Sequence, residues 1–205
     1  MKRQKKLGYS FYHRDNVVQI AKELLGKLLV TRFDGLLTSG RIVETEAYGG
    51  VTDRASHAYG GRRTARTEIM FGKAGTAYVY FVYGIHHLFN VVTNKKNIPH
   101  AILIRGLEPV EGIDTMLKRM KKKKLDYTLT RGPGNLSKAL GLHTKHTGIS
   151  LLGNEVFIAD DGSKIKKEDI IETARIGVDY AGEDAGLLYR FVIKGNKYVS
   201  GKKLQ

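Results

Sequence analysis

The sequence predicts an α+β protein, a single domain around a mixed or mostly antiparallel sheet with helices placed unevenly between the strands. Three observations carry that reading. The chain has 205 residues, long enough for one domain with a sizeable core and short for two. The segments RIVETEAY, GTAYVYFVYGIHHLFNVVTN and AILIRGL are rich in aromatic and β-branched residues, as strands are. Helical periodicity recurs in only a few places, so strands and helices do not alternate as a parallel βαβ array requires.

Element by element, residues 1–8 are basic and are expected to be flexible. From Asp15, NVVQIAKELLGKLLV starts as an amphipathic helix with Asp15 or Asn16 as N-cap; it ends near Gly26, and KLLVTRF follows as a strand. Residues 36–48 form a second strand, and the turn-rich GGVTDRASHAYGGRRTART is a long loop, of the kind that is either functional or disordered. A hairpin then pairs residues 77–83 with 86–93, with Gly84 suited to the first central position of a type II′ turn. AILIRGL is a buried strand. A helix is expected from Pro109 through EGIDTMLKRM into Lys121–Lys124. TRGPGNLSKALGL reads as a turn feeding a short helix, and EVFIAD and RFVIKG as further strands.

Composition narrows the function. Lys and Arg number 35 against 20 acids, a formal charge of +15, which points to nucleic acid or an anionic membrane surface as partner. No run approaches the roughly 18 apolar residues of a membrane span. The absence of cysteine excludes disulfides, thiolate metal sites and a cysteine nucleophile. The start, MKRQKKLGYSFYHRDN, lacks the apolar core of a secretory signal, so the chain reads as cytosolic.

In RIVETEAYGG the period of two sends Glu44, Glu46 and Tyr48 to one face of a strand and Val43, Thr45 and Ala47 to the other. Carboxylates so placed can activate water for glycoside chemistry, although Glu-x-Glu on a strand is most often a solvated face. Tyr78, Tyr80, Phe81, Tyr83 and Phe89 crowd the hairpin. Core packing accounts for some of them, but Tyr83, beside the turn, is poorly placed for burial and well placed to wedge between bases. His57, His86, His87 and His100 lack the spacing of a zinc hydrolase, and no metal is expected. Arg62, Arg63 and Arg66 in the Gly-rich loop are candidates for phosphate contacts, as is Lys138 beyond the turn RGPGN. Six cations within residues 118–124 read equally well as solvated helix surface. A cationic surface, an aromatic wedge, aromatic walls and a carboxylate together suit base flipping followed by N-glycosidic hydrolysis.

RIVETEAYGG, the following His57, MFGKAGTAYVYFVYGIHHLFNVV, AILIRGLEP and GPGNLSKALG closely resemble the alkyladenine (3-methyladenine) DNA glycosylase family, in order along nearly the whole chain. The resemblance implies a monofunctional enzyme that initiates base excision repair on alkylated purines in double-stranded DNA. It also implies a monomer with no metal or organic cofactor, folded around a curved antiparallel sheet with a protruding hairpin. By position, Glu46 is the general base, and Arg105 helps to place the water. Tyr48 and Tyr80 wall the base pocket, His57 contacts the flipped nucleotide, Asn90 excludes the amino group of normal guanine, and Tyr83 intercalates. His86 departs from the family pattern, because vertebrate relatives carry an aromatic residue there. Glu44 is assigned structural support. The competing expectation from charge and aromatics alone is a nucleic-acid-binding protein without catalysis, which would have no need of Glu46.

Overall fold

A computed structural model describes residues 4–201. Its centre is β3 (Leu36–Tyr48), which pairs antiparallel with β2 (Leu28–Phe33) through its first half and with β6 (His100–Glu111) along most of its length. Beyond β6 come β5 (His86–Thr93) and β4 (Thr76–Val82); beyond β2 come β7 (Val156–Asp160) and the short β1 (Lys5–Lys6). The second half of β3 exchanges β2 for β9 (Arg190–Ile193), which pairs in turn with β8 (Ile170–Thr173). The result is a nine-stranded, curled antiparallel sheet with a few helices, an α+β single domain.

Among the described residues four α-helices accompany the sheet: α1 (Tyr9–Tyr12), α2 (Val17–Leu24), α3 (Ile113–Met120) and α4 (Pro133–Leu140). Asn16 caps α2 by accepting from the Gln19 N–H at 2.9 Å, satisfying one of the orphan donors of the first turn. The apolar stripe Val17, Ile20, Ala21 and Leu24 then packs into the main core with Ala47 and Ile104 of the sheet and Leu136 and Leu140 of α4. Thr45 Oγ1 donates to the Ala21 carbonyl at 3.0 Å, so the Thr45/Ala47 face of β3 lies under α2. Glu44, Glu46 and Tyr48 are thereby turned to the other side, as the alternation predicts.

Four expectations change. The expected flexible start covers residues 1–8; residues 1–3 lie outside the described residues, and Lys5–Lys6 instead add a strand to β7. The expected helix from Pro109 begins only at Ile113, because Pro109 pairs with Gly40 in a prolongation of β6 along its long partner. It also stops short of residues 122–124, at a left-handed Lys121. At the hairpin, Val82 pairs with His86, its carbonyl accepts from the Ile85 N–H at 3.3 Å, and Tyr83 and Gly84 between them both have positive φ, 54° and 70°. Tyr83 therefore takes the first central position, in the manner of a type I′ turn and not the type II′ turn with Gly84 first. Finally, β8 has no counterpart among the expected strands.

Candidate active site

The ladder between β3 and β6 slips on both sides of Glu44: Ile42 faces Leu107, Glu44 faces Gly106 and Thr45 faces Ile104. Such irregularities twist a strand and re-aim its side chains. Here Arg105 meets both carboxylates, its Nε donating to Glu44 Oε1 at 3.1 Å and its Nη1 to Glu46 Oε2 at 3.3 Å. Burial works against the Arg105 charge, but Glu46 and Glu44 outweigh it and hold the guanidinium above its ordinary pKa.

The two glutamates, both fully buried, differ in what surrounds them. Glu44 Oε1 accepts from Arg105, from Arg190 Nε at 2.7 Å and from Ser200 Oγ at 2.9 Å, while Oε2 accepts from the Ser200 N–H at 2.6 Å. Burial pushes its pKa up; Arg105, Arg190 and the Ser200 N–H pull it down further, for a net lowering. Gly106 makes this approach possible, since a Cβ there would lie 2.7 Å from the Tyr198 carbonyl and 3.2 Å from Glu44 Oε2. Glu46 Oε2 accepts from Tyr48 Oη at 2.8 Å as well as from Arg105, whereas among the described residues Oε1 has a single partner, the Ile176 N–H at 2.7 Å. A carboxylate has about four lone-pair sites; among the described residues Glu44 accepts four hydrogen bonds and Glu46 three, so Glu46 keeps one site in reserve.

Tyr48, Arg105 and Ile176, the three partners of Glu46, all line a cavity of about 540 Å³. His57, Tyr78, Tyr80, Asn90 and Leu103 complete its inner wall, and Tyr83, His86 and the start of α4 extend it toward the hairpin tip. The β4–β5 pairing explains the aromatic wall, because Tyr78 and Tyr80 share one face of β4 and Asn90 stands opposite Tyr78. The Asn90 amide nitrogen donates to the Tyr78 and Leu88 carbonyls, both at 3.2 Å, which anchors the side chain. Burial, and then Glu46, raises the Tyr48 hydroxyl well above its ordinary pKa; burial foremost raises that of Tyr80. Both phenols stay neutral. Burial, with Arg66 and Arg62 nearby, lowers His57 to about 4, so it is a neutral imidazole at physiological pH.

The basic candidates separate. Arg66 lines the cavity, its guanidinium 4.7 Å from the Tyr80 ring centroid. Arg63 is paired with Glu68 at 2.6 Å and lies over Phe71, Arg62 is exposed on the same loop, and Lys138 is exposed on α4 outside the cavity lining. Tyr83 is 83% exposed at the hairpin tip. His86 lies against Gly134 of α4, where a Cβ would come within 2.5 Å of its Nδ1. Among the described residues, no three His, Asp or Glu side chains converge as metal ligands would.

Sequence reasoning missed Arg175, Ile176, Arg190 and Ser200. Arg175 is fully buried, forms a two-pronged ion pair with Asp53, donates to the Ala47 carbonyl at 3.0 Å and sits 4.9 Å from the Tyr48 ring centroid. It locks the long loop and Tyr48 to one post. Nothing local signals these residues, since Ile176 and Ser200 reach their glutamates across 130 and 156 positions.

Residues 10–197 match the sequence profile of Methylpurine-DNA glycosylase (MPG). A protein of Clostridium acetobutylicum is 48% identical over 202 residues, covering 95% of this chain and 97% of its own. One from Clostridium perfringens is 46% identical over 205 residues, covering 96% and 100%, and one from Bacillus cereus 46% over 202, covering 94% and 98%. Each is provisionally named a 3-methyladenine DNA glycosylase.

Proposed function

The chain belongs to the methylpurine-DNA glycosylase family and is a DNA glycosylase, a hydrolase of N-glycosyl bonds; on that premise we propose that it acts on alkylated purines in double-stranded DNA, swinging each damaged nucleotide out of the helix into the cavity beside Glu46. The observation that carries the proposal is the unequal satisfaction of the two glutamates. Glu44 accepts four hydrogen bonds, from two arginines and Ser200, while Glu46 accepts three, all from residues that line the cavity, and keeps one acceptor site.

In this reading Glu46 takes a proton from the attacking water as the C1′–N bond opens, and Arg105, fixed on both carboxylates, helps to place that water. Tyr48 and Tyr80 stack on the base. Alkylation at N3 or N7 makes a purine cationic, which improves it as a leaving group and favours electron-rich rings on either side. His57 contacts the flipped nucleotide as a neutral imidazole. Asn90 excludes the amino group of normal guanine by occupying its space, because its anchored amide cannot swing aside. Tyr83 fills the gap left in the duplex, and Arg62, Arg63 and Lys138 meet the phosphate backbone. The enzyme works as a monomer in the cytoplasm, on the chromosome.

The test is a gel assay on duplexes each carrying one defined lesion, with alkaline cleavage to reveal abasic sites. Abasic product from 7-methylguanine or a 3-methyladenine analogue is expected. Binding without abasic product on every alkylated purine would overturn the assignment.

A further inference from the structure

The cavity holds a hydrogen-bond chain with a spare proton. Arg66 Nη2 lies 3.2 Å from His57 Nε2, and His57 Nδ1 lies 2.8 Å from Tyr78 Oη. A guanidinium can only donate, so His57 Nε2 must be the accepting nitrogen. The neutral ring then carries its hydrogen on Nδ1 and donates it to Tyr78. Arg66 Nε donates to the same oxygen at 3.3 Å. Tyr78 Oη therefore accepts twice, and among the described residues nothing accepts the proton it still has to give. Tyr78 is 2% exposed and lines the cavity, the space where a base would sit. Two incoming hydrogen bonds, one from a cation, polarise the O–H and make it a stronger donor.

From this chain of donors we propose that Tyr78 is a further catalytic residue, whose hydroxyl hydrogen-bonds to the departing base and thereby allows neutral purine lesions, such as hypoxanthine, to leave. The proposal rests on the glycosylase reading above. When the C1′–N bond breaks, its electron pair goes with the base, while water adds to C1′ and its proton passes to Glu46. A base alkylated at N3 or N7 departs neutral and needs no donor. A neutral purine departs as an anion, its charge spread over the ring nitrogens and the exocyclic oxygen. Tyr78 keeps its proton but shares it with one of those acceptors, and Arg66 lies beside them as a fixed positive charge. The anion then takes up one proton, equivalent to the one Glu46 removed. Arg66 is on this account a positioning residue of the pocket, not a contact for the phosphate backbone.

Single-turnover excision by Tyr78→Phe, on one duplex with hypoxanthine and one with 7-methylguanine, tests this directly. Removing one donor aimed at developing negative charge typically costs about 100-fold, so Tyr78→Phe is expected to lose about 100-fold more on hypoxanthine than on 7-methylguanine. Arg66→Gln should show the same selectivity. Equal losses on both lesions in Tyr78→Phe would make Tyr78 a packing residue and overturn the proposal. Equal losses in Arg66→Gln, with a shallower salt dependence of binding, would return Arg66 to the phosphate backbone and overturn its place here. A wild-type enzyme that excises 7-methylguanine but neither hypoxanthine nor ethenoadenine also refutes the proposal, while leaving the glycosylase assignment intact. Failure on 7-methylguanine and 3-methyladenine alike would defeat that assignment instead.

Discussion

Replacing each of the two glutamates by glutamine separates support from chemistry, and the hydrogen bonds allow the costs to be worked out. In Glu46→Gln the amide oxygen can remain opposite the Ile176 N–H, while the NH₂ group takes the place of Oε2. There it meets Tyr48, whose hydroxyl can rotate to accept, and Arg105 at the longer distance of 3.3 Å. The Arg105 bond at that position is lost, since both groups are donors, but Arg105 keeps Glu44, so the stability cost should be about 1–3 kcal/mol. Glu44→Gln has no such orientation. An NH₂ in place of Oε2 faces the Ser200 N–H at 2.6 Å, and one in place of Oε1 faces Arg190 at 2.7 Å and Arg105 at 3.1 Å. Arg190 is also left buried without its carboxylate, while Arg105 keeps only Glu46, so a loss of about 3–5 kcal/mol is expected. That is a large part of the roughly 5–15 kcal/mol that holds a domain of this kind together. Urea unfolding gives the stabilities, and single-turnover excision on a 7-methylguanine duplex gives the chemistry, where Glu46→Gln should lose at least about 100-fold. A stable Glu44→Gln protein that loses more excision than Glu46→Gln would reverse the roles and refute the reasoning.

Three further outcomes are expected. Tyr83→Ala should leave thermal stability nearly unchanged, because the ring is 83% exposed, yet weaken excision in matched duplex more than in a bulge, where opening the helix is already easy; equal loss on both, with a lowered melting temperature, would make it a packing residue. Affinity for undamaged duplex should fall with salt at about 0.9 logarithmic units per phosphate neutralised, and a flat dependence would detach the charge surplus from DNA. His57, lowered from 6.5 to about 4, refuses a proton that the unfolded chain accepts, so acid favours unfolding as pH falls from 6.5 to about 4. His57→Gln should make the fall in urea stability across that window less steep, with His146, also lowered to about 4, supplying part of the rest, and an unchanged slope would show that the His57 ring is protonated when folded.

Much of this protein was legible in short stretches of sequence, because their information is local. Alternation along RIVETEAY is enough to put Glu44, Glu46 and Tyr48 on one side of β3, and it does so whatever the partner strands are. The capped start of α2, the strands on either side of Tyr83 and the exposure of that ring follow from the same short-range rules. The turn at Tyr83–Gly84 was not decided locally, since a glycine suits either central position; the bond from the Ile85 N–H to the Val82 carbonyl chose between them. Pro109 could open a helix or prolong a strand, and the length of β3 decided for the strand. The unequal hydrogen bonding of Glu44 and Glu46 was likewise invisible to alternation, which treats the two alike, because it depends on how many donors reach each carboxylate. Those donors come from Arg105, Arg190, Ser200 and Ile176, far away in the chain. The proton left over on Tyr78 is of the same kind, fixed only when a loop arginine and a loop histidine fold back over β4. Patterning chose the faces, and only long-range packing could decide which polar atoms on those faces are satisfied and which remain free to act.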